Sequence, residues 1–252
     1  MLKLANVSKR YAKGGVRAVD GLSLEVRAGE VFGFIGPNGA GKTTTIKLIT
    51  GILSPDEGRI TVGGVALDDD PIAAKRKIGY VPDAQDAYDR LTGLEYLNFM
   101  GDVYGVSSRD RAARIKPLAE RFELTGALNG IVKGYSRGMK QKLSLIGALL
   151  HNPPLWILDE PMVGLDPRAV HVIKRQMRAH CDAGNTVFFS THVLDVAERL
   201  CDRIGILQHG RLIAVGTLDE LRSGETGASL ERVFLELTGD DADDGVDGNY
   251  DE

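Results

Sequence analysis

The chain has 252 residues, which at roughly 150 residues per domain corresponds to one large domain or to a core with an inserted subdomain. Hydrophobic residues make up 43 % of it and charged residues 26 %. This balance is typical of a globule with a buried core and excludes collagen, coiled coils and a wholly disordered chain. The net charge is −4, but residues 240–252 contain seven acids and no Lys or Arg. We predict a disordered acidic tail at 240–252 and a nearly neutral body, which has no dense basic face for nucleic acid.

The apolar stretches are short. The longest, such as residues 143–150, stop at about eight residues, whereas a membrane span needs about twenty. The first residues also lack the features of a secretory signal, so we expect a cytoplasmic protein. Cys181 and Cys201 show no spacing typical of a disulfide framework or a zinc site, and we expect both thiols to be buried, reduced and inert.

Four apolar runs bounded by turn residues predict strands of a parallel sheet that is covered on both faces. They are residues 31–35, 155–158, 186–189 and 204–207. Residues around 22–26 and 59–62 have the pattern of antiparallel strands with one wet face. The sequence therefore predicts an α/β fold.

Residues 87–151 change to helical periodicity, which predicts a helical subdomain inserted into a core formed by residues 1–86 and 152–220. Asp166-Pro167 and Thr217–Glu220 have the patterns of helix starts. Residues 221–239 are expected to form a short C-terminal helical extension, and the domain before them is expected to end near residue 220.

A phosphate-binding loop follows the first apolar strand. The pattern G-x-x-x-x-G-K-[ST] is matched by Gly36, Pro37, Asn38, Gly39, Ala40, Gly41, Lys42, Thr43 and Thr44. Glycines allow backbone N–H groups to face phosphate oxygens, Lys42 can reach the β- and γ-phosphates, and the Thr43 hydroxyl can ligate Mg²⁺. A glycine-rich turn without this function is the alternative, which the strand–loop–helix context disfavours.

Two other predicted strands end in polar residues. Asp159 and Glu160 follow one strand, and His192 follows the other. Asp159 suits a Mg²⁺ ligand, and Glu160 suits the general base that activates a water molecule. A histidine at a strand end is by itself more often structural, but beside the other motifs His192 is a candidate γ-phosphate ligand.

Ser136 and Gly138 precede a further predicted helix, with Ser136 as its N-cap. This is a second helix N-terminus suited to an anion, although the chain has only one set of magnesium and water ligands. One explanation is that the second cradle binds the nucleotide of another chain; an ordinary capped helix is the alternative.

Together these motifs resemble the ATP-binding subunit of an ABC transporter, over about residues 1–220. The resemblance implies a RecA-like P-loop NTPase core with an antiparallel β-subdomain and an inserted helical subdomain. It implies ATP and Mg²⁺ as ligands, with Tyr11 stacking on adenine. The resemblance also implies that Asp166 lies in the D-loop and that His192 is the switch histidine. It also implies a second ABC ATPase subunit, arranged head to tail, in which Ser136 and Gly138 of one chain close on the γ-phosphate held by the other.

The sequence departs from the family pattern at two places. Residues 135–139 are Tyr-Ser-Arg-Gly-Met instead of Leu-Ser-Gly-Gly-Gln, a variant similar to those of ABC-2 type exporters. Asp83 stands where the family has the Q-loop glutamine. We expect Asp83 to ligate Mg²⁺ through water, and Gln85 to be a substitute only if the loop shifts.

The resemblance predicts an ATPase that drives an integral-membrane permease, with an ABC-2 type exporter as the favoured system. The subunit would then lie on the inner face of the cell membrane, bound through the permease. No nucleic-acid partner is expected. Alternatives are a soluble ABC ATPase with a regulatory or nucleic-acid/ribosome-linked role, and a small-molecule kinase that shares the phosphate loop.

Overall fold

A computed structural model describes residues 1–11, 15–83, 88–222 and 229–239. Gln85 and the predicted acidic tail therefore lie outside the described residues. The strands are β1 (Leu2–Arg10), β2 (Arg17–Val26), β3 (Val31–Ile35), β4 (Glu57–Val62), β5 (Val65–Ala66), β6 (Ile78–Val81), β7 (Leu155–Asp159), β8 (Thr186–Thr191), β9 (Arg203–Gln208) and β10 (Arg211–Gly216). The helices are α1 (Lys42–Ile49), α2 (Pro71–Lys75), α3 (Gly93–Val103), α4 (Ser108–Arg121), α5 (Arg137–Leu149), α6 (Pro167–Asp182), α7 (Leu194–Leu200), α8 (Leu218–Leu221) and α9 (Leu230–Thr238).

The larger sheet has the strand order β10-β9-β3-β8-β7-β6. Its five strands from β9 to β6 are parallel, and β10 is antiparallel to β9. Strands β3, β7 and β8 are buried along their whole length, which explains their continuous apolar sequences. The four predicted strands of the parallel sheet are thus confirmed.

The smaller sheet is antiparallel, with the order β2-β1-β4-β5. Buried and exposed residues alternate along β2, as expected for a sheet with one wet face. An apolar core joins this sheet to α1 and to one face of the larger sheet, where Phe32 and Phe34 pack on Phe188 with ring centroids 5.7 and 5.3 Å apart. This packing fixes α1 beneath β3 and so positions the loop between them.

The segment between β6 and β7 contains α3, α4 and α5. These helices pack on one another and on the opposite face of the larger sheet, around a core that includes Leu97, Phe122, Leu145 and Trp156. Tyr96 packs against this core, and burial raises its pKa to about 12. It is therefore largely a core residue, whereas Tyr88 is exposed.

Both cysteines are free, as predicted. Cys181 is buried, but Cys201 is only partly buried, so its prediction as a buried residue needs correction. Its thiol nevertheless lies against β3, because a Cβ atom placed on Gly33 would be 2.5 Å from the Cys201 Sγ. Burial raises the pKa of both thiols, that of Cys181 to about 11, and keeps them protonated near neutral pH.

Candidate active site

Three of the predicted motifs meet at one edge of the larger sheet. Strand β8 lies between β3 and β7, and all three are parallel. The phosphate loop leaves the carboxyl end of β3, Asp159 and Glu160 lie at the end of β7, and His192 follows β8. Ligands of open α/β sheets bind at this end of the strands.

The phosphate loop has a backbone that requires glycine. Gly39 and Gly41 have φ angles of +80° and +107°, a region that residues with a side chain rarely adopt. A Cβ atom on Gly41 would also lie 2.3 Å from the carbonyl oxygen of Ala18. A Cβ atom on Gly39 would have no described heavy atom within 4 Å, so this part of the loop borders open space.

Lys42 folds over the loop. Its Nζ donates hydrogen bonds to the carbonyl oxygens of Gly36 (2.6 Å) and Pro37 (3.2 Å), and lies 3.8 Å from the Glu160 Oε1. Lys42 is only 7 % exposed, and burial lowers its pKa although Glu160 and Asp159 act in the opposite direction. A buried ammonium beside neutral carbonyls fits an anionic phosphate group at this loop.

Asp159 is buried and bound by two hydroxyls. The Ser190 Oγ donates to its Oδ1 at 2.6 Å, and Thr43 forms a second hydrogen bond. Burial raises the Asp159 pKa, while these hydrogen bonds act to lower it. The juxtaposed carboxylate and hydroxyl oxygens of Asp159 and Thr43 are the hard donors that Mg²⁺ prefers, so the residues present fit a magnesium ion.

Glu160 has a special backbone conformation. Its φ angle is +48°, and its backbone N–H donates to the Ser190 Oγ at 3.1 Å. Its side chain lies between Lys42 and His192, with the His192 Nδ1 3.1 Å from the Glu160 Oε2. A left-handed conformation of a residue other than glycine is uncommon and costly, and such residues cluster at active sites.

Tyr11 lies beside the phosphate loop at the end of β1. Its ring is 62 % exposed, and its hydroxyl is 3.2 Å from the Thr44 Oγ1. The side chain is thus available at the surface next to the loop, where the adenine-stacking role was predicted.

Ser136, Gly138 and Asp166 form a second group. Ser136 caps α5 by accepting a hydrogen bond from the Met139 backbone N–H at 3.3 Å, and Asp166 caps α6 by accepting from that of Ala169 at 2.9 Å. The two helix starts are adjacent, because a Cβ atom on Gly138 would be 3.4 Å from Leu165. Among the described residues, no hydrogen bond or ion pair joins these three to the phosphate loop.

Asp83 follows β6 and faces α5. Its Oδ1 lies 3.5 Å from the Nη2 of Arg137, and both side chains are more than half exposed. The structure thus brings together the two positions at which the sequence departs from the family pattern.

Sequence reasoning missed Ser190, which binds Asp159 and the backbone of Glu160 together. The available signal was its position in the run of residues 188–192, a polar side chain at the carboxyl end of a buried strand. The partnership of Asp83 with Arg137 could not be found in this way, since 54 positions of sequence separate them and only packing joins them.

Known proteins are similar to this chain in sequence and in fold. Residues 19–163 match the family model described as ABC transporter. The linearmycin resistance ATP-binding protein LnrL of Bacillus subtilis (strain 168) is 40 % identical over 230 residues, which cover 91 % of this chain and 73 % of LnrL.

Two solved structures are also similar. An ATP-binding subunit of an ABC transporter has a TM-score of 0.90 and 38 % identity, with 94 % of this chain and 99 % of that chain covered. The ATP-binding cassette MJ0796, in a dimeric post-hydrolysis state bound to ADP and Pi, has a TM-score of 0.78 and 27 % identity, with 86 % and 99 % covered. Within the described ranges, none of the helices combines the length and the apolar character needed to cross a membrane.

Proposed function

This chain belongs to the ABC transporter family as an ATP-binding subunit that hydrolyses ATP, and from that premise we propose the roles of its residues and the system that it drives. The arrangement of Lys42, Asp159, Glu160 and His192 around one loop carries the proposal.

The phosphate loop, residues 36–44, holds the triphosphate. Its backbone N–H groups and the N-terminus of α1 face the phosphate oxygens, and Lys42 exchanges its carbonyl partners for the β- and γ-phosphates. Tyr11 stacks on the adenine. Thr43 and Asp159 would hold Mg²⁺, with Asp83 acting through water, and the bound ion would neutralise charge on the phosphates.

Glu160 is the general base for the attacking water. Its carboxylate is 15 % exposed and lies 3.1 Å from His192, so it reaches the opening of the site while its backbone is held by Ser190. His192 orients this carboxylate and contacts the γ-phosphate. A positioned base of this kind contributes about 10² to 10⁴ in rate.

The active site is completed by a second subunit arranged head to tail. The Ser136 and Asp166 side chains cap their own helices and, within the described part of the chain, make no hydrogen bond to their own phosphate loop, which supports a role of Ser136, Gly138 and Asp166 toward the nucleotide of the partner. Binding of ATP then favours the closed dimer, and hydrolysis removes the bridging phosphate, so that the populations shift back. The structural similarity to a dimeric cassette supports the same arrangement.

The partner that receives this motion is an integral-membrane permease, which places the subunit on the inner face of the membrane. A surface patch after β6 consists of Tyr88, Phe99 and Val103, which are 44 %, 41 % and 54 % exposed, and the Tyr88 and Phe99 rings are 5.4 Å apart. This patch suits a helix of the permease. We infer export as the direction of transport because residues 135–139 resemble the variant found in ABC-2 type exporters and because the chain is similar to the resistance protein LnrL.

Two experiments separate this proposal from its alternatives. Co-purification of a detergent-dependent membrane protein favours transport, whereas a ribosome or DNA pellet favours the soluble ABC ATPase. Phosphate release without an acceptor substrate excludes the small-molecule kinase.

The Glu160→Gln variant tests the mechanism. Because only the base is removed, we expect ATP binding to be retained, turnover to fall by about 10² to 10⁴, and an ATP-bound dimer to accumulate in size-exclusion chromatography. Unchanged phosphate release would remove Glu160 as the base, and a strictly monomeric variant at saturating ATP would contradict the head-to-tail dimer.

A further inference from the structure

Two acids in the segment after β6 pair with two cations in the first turn of α5. Asp83 lies 3.5 Å from Arg137, and the Asp89 Oδ1 lies 2.7 Å from the Lys140 Nζ. Arg137 and Lys140 are three residues apart, so they share a face of the helix. The start of α5 therefore contacts both flanks of residues 84–87.

The two ion pairs differ in strength. The Lys140 side chain is 19 % exposed and makes a short contact, whereas the Arg137 and Asp83 side chains are 65 % and 53 % exposed. An exposed ion pair changes an equilibrium constant by about 1.4- to 5-fold. The pair with Lys140 is thus the anchor, and the pair between Asp83 and Arg137 is the one that opens at small cost.

Arg137 lies between this segment and the loop before α6. A Cβ atom on Gly164 would be 3.4 Å from the Arg137 Cδ and Nε, which means that the arginine stem packs on that glycine. Arg137 is also the neighbour of Ser136. The Arg137 guanidinium, next in sequence to the proposed phosphate contact Ser136, is therefore turned toward its own chain.

Asp83 also lies near the proposed magnesium ligands. Strand β6 pairs with β7 so that Val81 lies opposite Leu158, and Asp83, two residues beyond Val81, therefore leaves the sheet beside the end of β7 that carries Asp159. The carboxylate that contacts Arg137 is also the one proposed to act on Mg²⁺ through water. If Asp83 turns toward that water, its contact with Arg137 is lost.

We propose that Asp83 is a positioning residue that restrains Arg137 through a breakable ion pair, which we call the Asp83–Arg137 latch. In the nucleotide-free subunit the latch keeps Arg137 from the partner site. When the subunit is loaded with ATP and Mg²⁺, Asp83 would turn to its own site, and Arg137 would be free to contact the phosphate of the partner subunit. The latch rests on the proposed function, and it makes dimer closure depend on a loaded site.

The test uses the Glu160→Gln background and measures the dimer dissociation constant by analytical ultracentrifugation, with ATP and EDTA or with ATP and Mg²⁺. In EDTA the Asp83–Arg137 ion pair is intact, so Asp83→Asn should tighten the dimer by about 1.4- to 5-fold per subunit. With Mg²⁺ the latch is already open, and this tightening should be lost.

The double variant identifies the partner of Asp83. When Arg137→Gln is already present, Asp83→Asn should no longer tighten the dimer in EDTA. Asp195→Asn is the matched control, because Asp195 also forms an exposed ion pair, with Arg199 at 2.7 Å, and it should change nothing.

Two outcomes overturn the latch alone: no effect of Asp83→Asn in EDTA, or the same effect with and without Arg137. Absence of an ATP-dependent dimer from every variant, including the Glu160→Gln parent, would overturn the proposed function together with the latch.

Discussion

Ser190 connects the two acids of the site. Its hydroxyl donates to the carboxylate of Asp159 and accepts from the backbone N–H of Glu160. One side chain thereby holds the candidate metal ligand and fixes the strained backbone from which the candidate base projects. A buried hydroxyl with both its donor and its acceptor in use is costly to remove, since each partner then lacks a hydrogen bond.

We expect Ser190→Ala to lower the free energy of unfolding by about 1 to 3 kcal/mol. The steady-state rate should fall more than ATP affinity, because the phosphate loop and Lys42 are untouched while Asp159 and Glu160 lose their orientation. Denaturant unfolding, nucleotide titration and phosphate release measure the three quantities.

Ser144→Ala serves as the control for this prediction. Ser144 hydrogen-bonds Tyr96 on α3, away from the nucleotide loop, so its loss should affect stability without a matching loss of rate. Equal rate losses in the two variants would contradict the role given to Ser190.

Among the elements, α5 and its flanking residues join the inserted helices to the larger sheet. At the C-terminal end, the His151 ring stacks on that of Tyr104 with centroids 3.7 Å apart, and the Tyr104 hydroxyl donates to the carbonyl oxygen of Ile78 on β6 at 3.2 Å. Burial, and secondarily the positive charge of Arg114, lower the His151 pKa to about 4.

This burial predicts an acid-sensitive junction. Because the His151 pKa is below its unfolded value of about 6.5, the unfolded chain binds the proton more readily. The folded state is therefore most favoured above pH 6.5, where His151 is neutral in both states. As the pH falls toward 4, the free energy of unfolding decreases, by about 2 kcal/mol between pH 6.5 and 4.5. His151→Phe keeps the stacking and removes the titration, so its unfolding free energy should fall less over this range.

Denaturant titrations at several pH values measure the difference in unfolding free energy between the wild-type protein and His151→Phe. The contributions of all other titratable groups are common to the two chains and cancel in this difference. A wild-type and variant pair with parallel pH profiles would show that His151 does not carry this dependence. A wild-type protein that gained stability on acidification relative to the variant would contradict the predicted direction of the pH dependence.

At the scale of the whole molecule, each subunit carries the two halves of the proposed reaction centre at two different places. The phosphate loop and its acids lie at the carboxyl ends of β3, β7 and β8, whereas Ser136 and Gly138 begin α5. If hydrolysis requires both halves, its rate depends on dimer concentration.

We therefore expect the specific ATPase activity of the isolated subunit to fall on dilution. Well below the dimer dissociation constant, a tenfold dilution should lower the activity per subunit by about tenfold, by mass action. Phosphate release at several protein concentrations, together with light scattering, measures this. A strictly monomeric chain with constant specific activity would contradict the shared site.

The sequence by itself determined the local features of this molecule. The buried strands, the phosphate loop and the capped starts of α5, α6 and α8 were all predictable, because each depends on residues within a few positions of one another. The polar residues at strand ends were also sufficient to predict where the site lies, since parallel strands bring their carboxyl ends to one edge of the sheet.

Only the tertiary structure decided how distant segments meet. Ser190 between the two acids, the largely buried Tyr96 and the contact of Asp83 with Arg137 all depend on the placement of β8, α3 and α5 against their neighbours. Such contacts join residues of high sequence separation, and their distances follow from the packing of the core around them. No local pattern contains that information, because the same residues could be solvated or paired elsewhere with the same sequence spacing.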